Sequence, residues 1–452
     1  MSLLVGCGNG KSTVPQEIKK DISYYHGVWF AEGYGYLLEI QDSGIRVFDK
    51  VSSTCLMNQD VTEALPEYFT KLNQDSFVMS YGESSTRYIF TRLQGEISEH
   101  CKTSVMDSKS ATFEYFVQTM QHYYAYFDLY GVNWSERVGN AKSKVSDEMT
   151  DETLFELFTS MLEGINDAHL FLAAEIDGQE QLFSPGRSRI LRGKLDEAFS
   201  KQQTIDEARA FRRDWFRQHK ENIVAKVLTQ QKHTDYDDQV LWGKIGNIGY
   251  INVLGMRLFA KNEMIDDEIL HAKKAFTEVF NELKDTKALI IDVTTNSGGH
   301  EEISLLLAGY FTDKKIEVYS KQVKGVSESK QYMTVTPNHE VYRGNVYLVT
   351  SDHTVSAAEN FVMAMKVLPQ VIHVGDTTRG AFSDVLDKEL PNGWQIGLSN
   401  EEYFDLKGQN HEGKGLVPEV QIGIFSRADI FESHASALQD IIQFVHSKEG
   451  FD

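Results

Sequence analysis

The 452-residue sequence contains little cysteine, little proline and no long apolar run. Three cysteines are too few for a disulfide scaffold or a zinc cluster. Seven prolines, with 41% hydrophobic and 25% charged residues, are typical of a folded globular chain. No run of about 18 apolar residues occurs, so the sequence predicts no membrane-spanning helix. A chain of this length is expected to form two or three domains.

Basic residues are also scarce. The chain has 45 Lys and Arg against 66 Asp and Glu, a net charge of −21, and no basic stripe stands out. Such a surface repels phosphate backbones and anionic lipid. We therefore expect no nucleic-acid partner.

The amino terminus contains Leu4-Val5-Gly6-Cys7, which resembles the lipobox of bacterial lipoproteins. Too few residues precede it for a working signal, so we interpret residues 1–20 as a truncated lipoprotein signal and linker. The parent protein would then be exported, periplasmic or an outer-membrane lipoprotein, with a membrane tether at Cys7. The alternative is a cytosolic start with an accidental match. Cys55 and Cys101 are either a disulfide, which an oxidising compartment permits, or two unpaired thiols.

The sequence pattern changes three times along the chain. Residues 21–105 predict a small antiparallel β domain, because short aromatic and β-branched runs alternate with turn formers. Residues 106–235 show apolar residues at helical spacing and predict a helical region. Residues 236–425 alternate continuous apolar strands with helices, which favours an α/β core buried on both faces. Residues 426–452 predict a C-terminal helix.

A serine occupies the point where a buried strand passes into a helix. The apolar residues 346–349 lead through a polar turn to Ser356, and a helical pattern follows. Free N–H groups at the first turn of a helix, here that of Ala357, stabilise a developing oxyanion, and the helix dipole favours negative charge. Ser356 is therefore a candidate nucleophile. The alternative is that its hydroxyl only caps the helix.

A second strand, residues 288–293, ends in a turn that carries consecutive glycines. Glycines after a strand can turn their amides toward a neighbouring site. Gly298 and Gly299 are therefore candidates for the other oxyanion donor. The alternative is a plain turn between a strand and a helix.

Five segments match, in order, the motifs of a known enzyme family. They are residues 292–299 (Asp-x-x-x-Asn-x-Gly-Gly), 354–359 (Thr-Val-Ser-Ala-Ala-Glu), 375–381 (Gly-x-x-Thr-x-Gly-Ala), 390–393 (Leu-Pro-Asn-Gly) and 412–419 (Glu-Gly-x-Gly-Leu-x-Pro-Glu). The set resembles the tail-specific, or carboxyl-terminal processing, serine peptidases, in the branch of the tricorn core protease and the interphotoreceptor retinoid-binding modules. The resemblance covers about residues 110–175 and 240–425. It implies a crotonase/ClpP-like α/β core, a serine endopeptidase, a protein or peptide substrate and no cofactor.

The resemblance also implies which base activates the serine. One branch of the family has a lysine in a Gly-Lys-Gly step, and here Ala381 follows Gly380 instead. The other branch takes a histidine from a Leu-x-Asp-x-His motif, which is similar to Ile165-Asn166-Asp167-Ala168-His169. His169 is therefore the expected general base. Glu412 matches the glutamate that orients this histidine through a serine, but Ala168 stands in place of that serine.

Other histidines are weaker candidates for the base. His353 shares the turn of Ser356, where reaching the hydroxyl is awkward, while His300 and His411 adjoin motifs and resemble surface histidines. Ser304 stands where a zinc-binding helix after His300 would need a second histidine, so no metal is expected. A different interpretation is a catalytically weak or inactive relative that binds an apolar ligand or a peptide, as the retinoid-binding modules do.

Overall fold

In the computed structural model the described residues are 22–58, 68–80, 82, 85–101, 103–104, 108–186, 190–198, 205–228, 230–235, 239–261 and 264–451. The lipobox-like segment that ends at Cys7 lies outside them. No helix in these ranges is long and apolar enough to cross a membrane.

The described strands are numbered in chain order. They are β1 Gly27–Ala31, β2 Tyr36–Gln41, β3 Gly44–Val51, β4 Thr54–Asn58, β5 Phe69–Asn73, β6 Ser76–Met79, β7 Tyr88–Leu93, β8 Thr103–Ser104, β9 Phe171–Ile176, β10 Gln179–Phe183, β11 Gln230–Asp235, β12 Val240–Ile245, β13 Ile248–Val253, β14 Ala288–Asp292, β15 Ile316–Val323, β16 Gln331–Val335, β17 Asn345–Thr350, β18 Val371–Gly375, β19 Val385–Glu389, β20 Gln395–Ser399, β21 Glu401–Asp405 and β22 Val420–Gln421.

The described helices follow the same numbering. They are α1 Ile97–His100, α2 Lys109–Tyr123, α3 Trp134–Lys142, α4 Asp151–Leu162, α5 Leu191–Ala198, α6 Ile205–Asn222, α7 Ile265–Leu283, α8 Glu301–Ala308, α9 Ala357–Met365 and α10 Ile430–Glu449. A π-helical turn, Ile223–Val227, continues α6.

The chain divides into two compact units. The first contains residues 1–186, 321–331 and 383–402. It has an eight-stranded sheet in the order β5-β6-β7-β1-β2-β3-β4-β8 and a four-stranded sheet in the order β10-β9-β20-β19. Its core contains many buried aromatic residues, including Trp29, Phe77 and Phe90 in the large sheet and Phe116 and Phe158 in the helices α2 and α4.

The second unit contains residues 187–320, 332–382 and 403–452 and has a seven-stranded sheet in the order β11-β12-β13-β14-β17-β18-β22. Alternate residues of β14 enter different cores. Leu289 and Ile291 join the core with the apolar faces of α7 and α9. Ile290 joins the core with α10 and the end of α6. A strand buried on both faces is the reason for the continuous apolar runs, so the predicted α/β core is confirmed.

Two sequence-based predictions about domain organisation need correction. The region predicted to be helical, residues 106–235, contains the hairpin β9–β10, whose Leu172, Ala174 and Ile176 alternate as strand residues do. The predicted α/β core, residues 236–425, contains a hairpin that belongs to the first unit. That hairpin is β19–β20, and β20 pairs with β9 antiparallel, from Gln395 opposite Ala173.

A disulfide joins Cys55 in β4 to Cys101, which follows α1. The bond closes a sequence separation of 46 residues within the β domain. The sequence leaves open a disulfide or two unpaired thiols, and the structure has the disulfide. A cross-link of this kind restricts the unfolded chain and is found in proteins of oxidising compartments.

Replacing both cysteines, Cys55→Ala with Cys101→Ala, is expected to lower the free energy of unfolding by about 2 to 4 kcal/mol, because the loop of the unfolded chain is released. Urea unfolding followed by tryptophan fluorescence measures the change. Treating the unaltered protein with a reductant should produce a similar loss and should have no effect on the double variant. Equal unfolding midpoints for both proteins would contradict the prediction.

Candidate active site

Two turns meet at one edge of the seven-stranded sheet. Strands β14 and β17 are parallel neighbours, and Asp292 lies opposite Val349. Val293 N also donates to Val349 O at 3.0 Å, which extends the pairing by one residue. The segments that leave these strands, residues 294–299 and 351–356, therefore start side by side.

Ser356 has a strained backbone at the start of α9. Its φ is 62° and its ψ is −131°, a conformation that residues with a side chain rarely adopt. Ser356 N donates to Ala381 O at 3.0 Å, and Ser356 O accepts from Glu359 N at 2.7 Å. The hydroxyl makes no capping hydrogen bond to α9, and the residue is partly exposed. The structure therefore does not support the interpretation of Ser356 as only a helix cap.

Gly298 lies directly against the serine. A Cβ at this position would come within 2.6 Å of Ser356 Cβ and 3.1 Å of Ala357 N, and the φ of +88° also favours glycine. The N–H of Gly298 donates to Asn296 Oδ1 at 2.9 Å. Gly298 therefore allows the close approach to Ser356, while its own N–H is hydrogen-bonded within the turn.

Two backbone N–H groups remain near the serine. Within the described part of the chain, no hydrogen bond occupies the amide of Ala357 or of Gly299. The backbone on either side of Gly299 is fixed, because Met256 N donates to Gly298 O at 2.8 Å and Met256 O accepts from His300 N at 2.7 Å. Fixed, unoccupied N–H donors are what an oxyanion hole needs.

Asn296 connects three segments of this edge. It is fully buried, and its Nδ2 donates to Val253 O, at the end of β13, at 3.0 Å. Its Oδ1 accepts from Gly298 N, and its carbonyl oxygen accepts from Val355 N at 3.2 Å. The glycine turn and the residue before Ser356 therefore share one anchor.

Asp292 holds the base of the glycine turn. Its Oδ1 accepts from the N–H and the hydroxyl of Thr294 at 2.9 and 2.7 Å. Its Oδ2 contacts Tyr250 Oη at 2.7 Å and His434 Nε2 at 2.8 Å. Burial raises the pKa of Asp292, but the attraction of His434 and these hydrogen bonds outweigh burial, so the net shift is downward. The ionised form fits an anchoring role.

Glu359, one turn into α9, is also fully buried. It accepts hydrogen bonds from Thr378 Oγ1 at 2.5 Å, Gly380 N at 2.7 Å and Ala381 N at 2.8 Å. Burial raises the pKa of Glu359 to about 7, although these hydrogen bonds oppose the shift. The glutamate fixes the segment whose Ala381 O receives the N–H of Ser356.

Glu412 lies on the loop before β22 and is almost fully buried. Its Oε2 accepts from Phe382 N at 2.8 Å, and its own N–H donates to Asn410 Oδ1 at 2.8 Å. Phe382 directly follows Ala381, so Glu412 and Ser356 contact consecutive residues of the same segment.

The rival histidines have other surroundings. His411 Nε2 lies 3.0 Å from Asp405 Oδ2, as in a satisfied surface histidine. Burial lowers the pKa of His353, whose N–H donates to Ser351 Oγ at 3.0 Å. Neither arrangement indicates a general base.

His169 belongs to the first unit and follows a tightly fixed loop. Its N–H donates to Asp167 Oδ1 at 2.8 Å, and Asp167 Oδ2 accepts from Tyr124 Oη at 3.0 Å. A Cβ at Gly186 would lie 1.9 Å from Asp167 O and 2.5 Å from Ala168 N, so only glycine allows this approach. The N–H of His169 is therefore fixed, and the two residues before it are closely packed against Gly186.

Asn296, Glu359 and Asp167 lie within the sequence motifs, but the motifs alone assign them no role. Each has a polar side chain beside a buried strand or helix, and each accepts at least one backbone N–H. Their signal in the sequence is a carboxylate or amide among residues that are otherwise apolar or small, because such a group is buried only with partners.

Comparisons with known proteins indicate a peptidase domain in this chain. Residues 247–422 match the model of Peptidase family S41. The chain carries a domain of peptidase family S41. It is also 29% identical over 150 residues to the carboxy-terminal processing protease CtpA of Bacillus subtilis (strain 168), which is 33% of this chain and 32% of that protein. The match spans about a third of that relative.

Two solved structures share the fold of this chain. A candidate peptidase from Parabacteroides merdae ATCC 43184 has a TM-score of 0.57 at 21% identity, over 75% of this chain and 97% of that one. Mature CPAF complexed with lactacystin has a TM-score of 0.53 at 13% identity, over 76% and 99% of the two chains. At these identities the likeness shows the fold alone.

Replacing Gly298 by alanine in the S41 domain is expected to block the serine, because the new Cβ would overlap Ser356 Cβ. Labelling by a fluorophosphonate probe should fall by about 10²-fold, the scale of a misplacement near 1 Å. The rate of labelling, followed by gel fluorescence, measures the change.

The matched control is Gly246→Ala. Gly246 has a φ of +59° and open space around its Cβ position, so alanine there also meets a left-handed backbone but without the overlap. It should lose stability and keep its labelling rate. Equal labelling of Gly298→Ala and Gly246→Ala would contradict the prediction.

Proposed function

We propose that this chain is a serine endopeptidase in which Ser356 is the nucleophile and His169 the general base. The observation that carries the proposal is the strained Ser356, with no capping bond from its hydroxyl, beside the unoccupied amides of Gly299 and Ala357 in an S41 domain. Gly298 supports the same site by allowing close approach.

The proposed reaction proceeds through an acyl-enzyme. His169 takes the hydroxyl proton of Ser356, and Oγ attacks a peptide carbonyl carbon. The amides of Gly299 and Ala357 stabilise the tetrahedral oxyanion. The C–N bond then breaks as His169 returns the proton to the leaving amine, and water hydrolyses the ester.

Glu412 is the proposed orienting group for His169. A carboxylate that orients the imidazole also stabilises the imidazolium that forms during the reaction. Ala168 offers no hydroxyl to bridge them, so the orientation is direct, through water or weak. Asp167 supports the base in another way, because it fixes the N–H of His169 at 2.8 Å.

We further propose that the parent protein is exported. The disulfide between Cys55 and Cys101 is stable in an oxidising compartment. The lipobox-like sequence at Cys7 adds a lipid tether to the proposal, in the periplasm or at the outer membrane. The proposed substrate is a protein or a peptide.

Replacing Ser356 by alanine is expected to abolish peptide hydrolysis and fluorophosphonate labelling, because the attacking oxygen is removed. His169→Gln should lower both by about 10²- to 10⁴-fold. Activity should fall as the pH drops below about 6.5, the ordinary pKa of imidazole, because the base must be neutral. Thermal melting should change little in either variant.

Hydrolysis of a casein or peptide library, resolved by mass spectrometry, measures this activity. Full activity of Ser356→Ala would exclude this nucleophile. Labelling that does not depend on His169 would exclude this base. An apolar ligand that copurifies with a protein incapable of labelling would favour the binding alternative.

A further inference from the structure

One segment of the S41 domain, residues 378–382, is held by a single buried side chain of α9. We call it the clamp turn. Glu359 Oε1 accepts from Thr378 Oγ1 and Gly380 N, and Glu359 Oε2 accepts from Ala381 N, at 2.5 to 2.8 Å. The glutamate has no exposed surface. Three polar hydrogens of the clamp turn therefore converge on one carboxyl group that water does not reach.

The clamp turn contacts two members of the proposed machinery. Ala381 O accepts from Ser356 N at 3.0 Å. Phe382 N donates to Glu412 Oε2 at 2.8 Å. A shift of the clamp turn would therefore move the backbone of the nucleophile and the carboxylate that orients His169.

We propose that Glu359 is a positioning residue for peptide hydrolysis, acting on Ser356 and Glu412 through the clamp turn. The described contacts of its carboxyl group are all with the clamp turn, so it acts through that segment rather than on the substrate. The inference rests on the proposed function, since Ser356 must be the nucleophile for the position of the clamp turn to matter in catalysis.

The three contacts need the ionised carboxyl group. Leu416 N donates to Thr378 Oγ1 at 2.7 Å, which leaves the hydroxyl proton of Thr378 to Glu359. Protonation of Glu359 would add a hydrogen to a carboxyl group that already faces three donors, and this hydrogen would compete with them. The positive charge of Arg379, on the clamp turn, favours the ionised form of Glu359. The other carboxylate at the clamp turn is that of Glu412, which accepts from Phe382 N.

Ionisation has opposite consequences for catalysis and for stability. The pKa of Glu359, raised by burial to about 7, exceeds the value of about 4.3 for glutamate in an unfolded chain. The contribution of Glu359 to stability is therefore complete below about 4.3 and is lost as the pH rises through 7. The ionised form of Glu359, which holds the clamp turn, is the major form only above about pH 7. We therefore expect Glu359 to titrate on the acid side of the activity profile, together with His169.

The test is Glu359→Gln in the full chain, with fluorophosphonate labelling followed from pH 5.5 to 9. The amide nitrogen of glutamine is a donor and cannot accept from a backbone N–H, so at least one contact is lost at every pH. The labelling rate at pH 8 should fall by about 10²-fold, as for a misplaced group. The acid side of the profile should become less steep, because one of two titrating groups is gone.

Hydrogen exchange measures how firmly the clamp turn is held, independently of catalysis. In the Ser356→Ala background, peptides that cover residues 378–382 should exchange faster with Glu359→Gln than without it. The same peptides should exchange faster at pH 6 than at pH 8 after correction for the intrinsic rate, and only when Glu359 is present.

Glu268→Gln is the matched control. Glu268 is also fully buried in the same unit and accepts from Leu258 N at 3.1 Å and Phe259 N at 2.8 Å. This variant should lose thermal stability to a similar extent and keep the pH profile of labelling. A change of profile confined to Glu359→Gln supports positioning over a general effect of losing a buried carboxylate.

The possible failures are distinct. Equal rates and equal pH profiles for Glu359→Gln and the unaltered protein would overturn this inference and leave the proposed function standing. No labelling of the unaltered protein at any pH would overturn the proposed function, and the inference with it.

Discussion

The parallel pairing of β14 with β17 is the constraint on which the proposed site depends. Parallel neighbours end at the same edge of a sheet, so the glycine turn and the serine turn begin next to each other. The hydrogen bond from Val293 N to Val349 O carries this alignment past the last paired residues. Gly298 can approach Ser356 closely because both turns start from this shared edge.

Buried acceptors then convert the neighbouring turns into one rigid arrangement. The side chains of Asp292 and Glu359 each accept three or more hydrogen bonds, and Asn296 accepts one through its side chain and one through its carbonyl oxygen. All three residues are fully buried. An unpaired N–H in such surroundings is costly, so each acceptor strongly favours one conformation of its loop. The N–H groups of Gly299 and Ala357 take no part in this pairing. They are therefore the donors of the proposed oxyanion hole.

The sequence predicts the architecture well, because strands buried on both faces are apolar throughout and helices repeat at their own period. The strands β14 and β17 and the helix α9, which begins directly after Ser356, lie where the patterns place them. The sequence pattern does not predict the hairpin β9–β10, because its strands have only six and five residues and β10 is mostly polar. The ordered motifs place Ser356 and the glycines, but they cannot show that Asn296 consumes the amide of Gly298. That fact depends on the conformation of one side chain, which the residue types do not determine.

The hairpin β19–β20 has a consequence for how the chain is made. It is encoded inside the stretch that matches the S41 family, yet β20 completes the small sheet of the first unit beside β9. A ribosome releases β9 more than 200 residues before β20, so until then this edge of β9 lacks its partner. Synthesis of the early unit therefore ends only when most of the peptidase domain has also emerged. An excised segment 247–422 would contain the hairpin β19–β20 without β9. The unpaired edge of β20 would then be prone to aggregation.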